Sequence, residues 1–195
     1  MKNKIVLCGS ILAAVCLSCT SCSNLSSIIS KPEPTVVETA APEPAPTPTA
    51  EPVAMSKDDK ITSSMVEMKL RKVSFTKDIV PEYKIATYAH YPAGEGRIYL
   101  EVKTKMKNLL KEDLACEDIA TVTLRTETGE SYMAFVVPET EARGISDDPS
   151  YPIQSGKALG LRYVIDCPEE LKKSSSGMKL YFEFSDNEVY EYTIQ

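Results

Sequence analysis

From Met65 onward apolar and polar positions alternate with a period of two, the mark of strands that bury one face. Val66, Met68 and Leu70 alternate, and Val73 and Phe75 continue out of phase, which predicts a bulge near Arg71 and Lys72. Ile98, Leu100, Val102, Thr104 and Met106 face one way while Tyr99, Glu101, Lys103, Lys105 and Lys107 face the other, making the clearest strand in the chain. Ala120, Val122 and Leu124 point inward on the next strand. Glu127-Thr128-Gly129-Glu130 then closes a hairpin into the run Ser131 to Val137, which Pro138 is expected to stop. Beyond a polar loop, Leu159, Leu161, Tyr163 and Ile165 alternate, as do Leu180, Phe182 and Phe184. Asp186-Asn187 turns the chain into a last strand carrying Tyr190, Tyr192 and Ile194. Helical period is absent beyond a turn or two near Pro168 to Lys173. The pattern predicts an all-β domain, an immunoglobulin-like antiparallel β-sandwich of about seven strands, in preference to a barrel.

The N-terminal part has no such alternation. Lys2 and Lys4 precede an apolar run from Ile5 to Leu17 that dissolves into Ser18, Thr20, Ser21 and Ser23 before reaching the roughly 20 residues a bilayer span needs. That is the layout of a secretory signal peptide. Cysteines at Cys16, Cys19 and Cys22 stand where its cleavage site belongs, and Thr20-Ser21-Cys22 resembles a bacterial lipobox, although Cys19 occupies the position usually held by Leu. Cys22 is therefore the expected lipidation site, with Cys19 as the alternative. A thiol there takes a thioether-linked lipid, and the new N-terminus takes a further chain. Two or more chains hold a protein stably at a membrane where one does so only marginally. The segment from Ser23 to Lys60 has no glycine and no aromatic residue, and its prolines at 32, 34, 42, 44, 46, 48 and 52 favour extended polyproline II over collapse. It is expected to be a disordered Pro-rich linker with a reach of roughly 100 Å at about 3.1 Å per residue. The expected organisation is a signal peptide at 1–21, lipidated cysteine and tether at 22–60, and the sandwich at 61–195. The expected address is the extracytoplasmic side of the cell membrane.

Composition sharpens this division. All 10 Tyr and 4 Phe lie at or beyond Phe75, so nothing before it can anchor a core. The chain carries 22 Lys+Arg against 28 Asp+Glu, a net charge of −6, which disfavours nucleic acid as a partner. Lys103, Lys105 and Lys107 then read as the wet face of a strand.

Candidate chemistry is sparse. His90 is the only histidine, and no G-x-S-x-G accompanies it, so a Ser-His-Asp or Cys-His site is not expected. Neither His90 nor the cysteines have the close ligand spacing of a zinc site. Gly94 and Gly96 lack a following helix that would make a phosphate cradle. Glu139, Glu141, Asp147 and Asp148 lie in one loop without an EF-hand register, and read as solvated charge. No catalytic residue, metal or cofactor is expected. Tyr83, Tyr88, Tyr91 and Tyr99 cluster in sequence, and tyrosine combines a large apolar face with a polar tip. They form either a contact patch for an envelope protein or glycan, or packing over one end of the sandwich. Cys116 and Cys167 are the two thiols left once the signal and lipid cysteines are set aside, and a disulfide between them is expected in an exported domain. On the chain-entropy account it contributes about 4 kcal/mol.

Gly94-Glu-Gly-Arg97 leading into Ile98-Tyr-Leu-Glu-Val, Lys107-Asn108-Leu109 after it, Thr128-Gly-Glu-Ser-Tyr132, Ile153-Gln-Ser-Gly-Lys157 and the terminal Leu180-Tyr-Phe-Glu-Phe and Tyr190-Glu-Tyr-Thr-Ile194 follow a recognisable order. Over Met65 to Gln195 the chain resembles the immunoglobulin-like domain of unknown function common on Gram-positive lipoproteins, the DUF forty-three fifty-two type. Ser155 stands where that family often has Pro. The resemblance implies a lipid-anchored sandwich working by noncovalent binding or as a structural module. It supplies no catalytic residues. An envelope hydrolase or a small-ligand-binding lipoprotein is the alternative, requiring paired carboxylates across loops in the first case and a deep apolar cavity in the second.

Overall fold

The computed structural model describes residues 51–82, 88–140 and 144–195. The signal segment, Cys19, Cys22, the tether up to residue 50, Tyr83 and Glu141 lie outside the described residues. The chain divides into two units, Met1–Ala45 and Pro46–Gln195, and the second carries the fold.

Strands dominate it: β1 Val53–Met55, β2 Lys60–Thr62, β3 Val66–Thr76, β4 Asp78–Ile79, β5 Tyr91–Pro92, β6 Arg97–Asn108, β7 Leu114–Ala115, β8 Ala120–Arg125, β9 Ser131–Thr140, β10 Gly144–Ile145, β11 Pro152–Ile153, β12 Ala158–Pro168, β13 Lys179–Phe184 and β14 Val189–Thr193. The seven long ones, β3, β6, β8, β9, β12, β13 and β14, are the strands that alternation predicts. Their path runs β1-β14-β13-β8-β9-β12-β6-β3-β2, antiparallel throughout except for β1 against β14. The path bends at β9. Its first residues, Ser131 to Met133, pair with β8, and Ala134 to Glu139 pair with β12, so one strand belongs to both layers of the sandwich.

Between the layers lie Met68, Leu70, Leu100, Val102, Met106, Leu161, Tyr163 and Ile165 from one side, and Val122, Leu124, Leu180 and Phe182 from the other. Tyr163 meets Phe182 edge-on at 6.2 Å, a favoured aromatic arrangement. Fully burying such a side chain contributes about 1.5–3 kcal/mol. The register slips between Leu70 and Lys72, so the expected bulge is present. Gly129 at φ +90° and Asn187 at φ +69° sit in the two expected turns.

Three expectations change. Val53–Met55, placed in the tether by composition, is a strand with Met55 buried. Backbone pairing starts once Pro52, which has no N–H to donate, has been passed. Pro138 does not stop β9, which continues to Thr140. Its carbonyl accepts from Ser146 N on the side away from β12, so the missing N–H also faces away from that ladder and costs it nothing. Finally, Cys116 and Cys167 are free and buried, and the expected disulfide does not form. Cys116 sits in a 3-10 turn bonded to Tyr151 O, whereas Cys167 faces Ile98 on β6 and donates to its carbonyl at 3.3 Å. The two thiols have different neighbours. Burial pushes Cys116 up to about 12 and Cys167 up to about 11, so both remain protonated thiols at neutral pH.

Candidate functional site

The outer face of the β9-β12-β6-β3 layer is not uniformly wet. On β9, Met133, Phe135 and Val137 point outward because Ala134 and Val136 take the inner positions. Val137 packs with Val164, Ile79 and Ile145 into a second small core, covered by the strap from Asp78 to Glu82 and by β10. Tyr91 and Tyr99 pack against that cluster. Both rings turn an edge toward Phe135, at 6.2 Å and 6.1 Å. Phe135 is nevertheless 41% exposed, and Met133, two residues before it, is 71% exposed. Burial raises the hydroxyl pKa of Tyr91, helped by Asp147, and that of Tyr99, helped by Asp166 and Asp78, so both are neutral donors.

The expected tyrosine cluster therefore comes together only in part. Tyr91 and Tyr99 converge on Phe135. Tyr88 instead meets His90 edge-on at 6.3 Å, and Tyr83 is outside the described residues. Phe135 and Met133 escaped the sequence reading, although their alternation with Ala134 and Val136 was the available signal. An ion pair and a hydrogen bond flank the patch: Arg97 Nε with Asp166 at 3.0 Å, and His90 Nδ1 with the Asp78 carboxylate at 3.0 Å. The Asp78 carboxylate holds Nδ1 of the His90 ring through either oxygen at 3.0 Å.

Further along the same face lies a buried charge cluster. Alternation puts Arg162 outward from β12, yet it is only 1% exposed. Its Nε and Nη2 donate to Glu139, and its Nη1 donates to Glu101 at 2.5 Å and to Val80 O at 2.7 Å. Glu139 also accepts from Glu82 N at 2.6 Å. Arg162 and Glu139 thus pin the strap over the sheet, and Glu139 is no part of a solvated loop. Asp147 and Asp148 are exposed, and no group of three potential ligands gathers for a metal among the described residues. Beside the cluster is a hollow of about 260 Å³ lined by Arg71, Lys103, Lys105, Arg162, Glu82 and Glu139.

No family model matches the chain, and no curated protein matches it. Among solved structures, a conserved hypothetical protein from Bacillus anthracis aligns at 11% identity over 69% of this chain and 92% of its own, with a TM-score of 0.44. A secreted protein from Mycobacterium tuberculosis aligns at 12% identity over 74% and 99%, with a TM-score of 0.42. Neither bears on function. An uncharacterized β-sandwich protein from Clostridium difficile 630 is 30% identical over 78% of this chain and 100% of its own, with a TM-score of 0.70. With the two-layer architecture and the sequence both shared to that extent, the chain belongs to the family of that β-sandwich protein.

Proposed function

We propose that the protein is a lipid-anchored, extracytoplasmic module of the cell envelope whose immunoglobulin-like sandwich binds another protein through the outer face at Met133, Phe135, Tyr91 and Tyr99. One observation carries this reading. Met133 and Phe135 are two of the four large hydrophobics exposed among the described residues, and they sit on alternate positions of one strand with two tyrosine rings against Phe135. Exposed apolar side chains with aromatic anchors and a polar rim are the composition of a contact site. The anchor is supported by Lys2 and Lys4, the Ile5 to Leu17 run and Cys22, with Cys19 as the alternative. It is also supported by the resemblance to the DUF forty-three fifty-two type of Gram-positive lipoprotein domain. The role proposed is noncatalytic, a reading that rests on the sequence, where His90 is the only histidine and no G-x-S-x-G accompanies it.

A photoreactive side chain at Met133 on intact cells tests the binding face, with one at exposed Glu183 on the other layer as the control. The expected result is a protein adduct from position 133 that fades in Phe135→Ala and Tyr91→Ala with little loss of thermal stability. Equal adducts from both positions would remove the assignment, and an adduct sensitive to glycosidase but not to protease would reassign the ligand as a glycan. For the anchor, Cys22→Ser should abolish acyl labelling and release the protein into the medium. Retained label would move the site to Cys19.

A further inference from the structure

The hollow beside Arg162 has a built floor. Gly160 is an outward-facing position of β12, in register with Lys105 on β6 and with Glu139 on β9. A Cβ there would come within 3.3 Å of the Glu139 carbonyl, closer than ordinary contact. Its φ is not in the left-handed region, so crowding against Glu139 on the next strand, and not a turn, is what disfavours a side chain there.

The rim is cationic beyond what its own carboxylates neutralise. Arg162 is bonded to Glu101 and Glu139, and Lys103 lies 3.2 Å from Glu82 and 4.0 Å from Glu101. Arg71 and Lys105 also line the hollow, and neither has an ion-pair partner among the described residues. Arg71 is the extra residue of the β3 bulge, a device that re-aims a side chain. The ladder also sets like charges opposite one another, Lys69 across from Lys105 and Lys72 across from Lys103. Such pairs are destabilising. Asp58 lies 3.7 Å from Lys69 and Glu82 lies 3.2 Å from Lys103, which offsets part of this repulsion and leaves Lys105 with no carboxylate of its own among the described residues.

We infer that the hollow over Gly160 is a phosphate-binding site, in which Arg71 and Lys105 take a phosphate group between them. Two cations without partners match a dianion, and the guanidinium fork of Arg71 suits phosphate oxygens while Lys105 adds a point charge. At about 260 Å³ the hollow falls just below the pockets that enclose drug-sized ligands, and it fits a single phosphate group, free in solution or on a lipid head. The site stands on residues other than those of the aromatic face, so either assignment can fail alone.

Titration calorimetry of the full chain with inorganic phosphate, at ionic strength matched with chloride, tests it. Saturable binding is expected, weakened at least tenfold in Arg71→Gln/Lys105→Gln and several-fold in Gly160→Ala, where every charge remains. Lys72→Gln, outside the hollow, should bind as the native chain does. Urea unfolding of each variant checks the fold, and if Gly160→Ala does not fold, the double variant decides. Vesicles containing phosphatidic acid, whose phosphomonoester can carry two charges, compared with phosphatidylcholine alone, identify the source. Vesicle binding that inorganic phosphate displaces and the double variant lacks assigns a lipid headgroup, whereas binding of free phosphate alone assigns a solute. No saturable binding, or an equal loss in Lys72→Gln, would overturn the site, the latter by exposing a diffuse field.

Discussion

Arg162→Ala tests the buried charge cluster most directly. The guanidinium supplies Glu139 with two hydrogen bonds, Glu101 with one and Val80 O with one. Truncation leaves two carboxylates of low exposure facing each other, with a backbone carbonyl bereft of its donor. Breaking a buried ion pair from one side costs about 3–5 kcal/mol. Lys103, 4.0 Å from Glu101, offsets part of that, so the lower end, about 3 kcal/mol, is expected. Against a total stability of roughly 5–15 kcal/mol this is a large fraction, and it corresponds to a melting temperature lower by about 10 °C. Urea unfolding measures it, and amide exchange at Glu82, whose N–H is held by Glu139, reports whether the strap loosens with the loss of Arg162. The companion is Arg162→Met/Glu101→Leu/Glu139→Gln, which removes all three charges and keeps an acceptor for Glu82 N. It should recover most of the loss, because well-packed neutral residues often replace a buried ion pair at little cost. A single variant within 1 kcal/mol of the native protein, or a triple as unstable as the single, would refute the reasoning.

Two other changes probe the core. Tyr163 Oη is buried with no hydrogen-bond partner among the described residues, so Tyr163→Phe should be neutral or stabilising by up to about 1 kcal/mol in urea unfolding. A loss of more than 1 kcal/mol would mean the hydroxyl is satisfied. Cys116 and Cys167 should both be alkylated after unfolding without reductant and resist alkylation when folded; a mass two hydrogens low and no alkylation would restore the disulfide. Both thiols have folded pKa values above their ordinary 9.0, so the unfolded chain loses protons first as pH rises. Stability should be intact below about pH 9 and fall between there and pH 11–12, by at most about 1.4 kcal/mol per pH unit per thiol. A Cys116→Ala/Cys167→Ala variant should show a shallower fall.

Alternation along the chain was enough to identify the seven long strands, and it marked the bulge after Leu70 because one extra residue shifts the period. The turns at Gly129 and Asn187 were also legible, since a hairpin that needs positive φ selects residues that tolerate it. These are local properties, set by a few consecutive residues. Parity along a strand says which side a residue faces, but not whether that side meets water. Arg162, Val164 and Glu101 occupy positions that alternation calls wet, and all three are buried because the strap and β10 fold over them. That cover is fixed by contacts such as Arg162 to Val80, 82 residues apart in sequence. Register decided the rest. It set Phe135 beside Tyr91 and Tyr99 while Tyr88 went to His90, hollowed the face at Gly160, and gave Cys116 and Cys167 different neighbours. Each of these depends on which strands lie side by side, a property of the whole chain that no short stretch of it encodes.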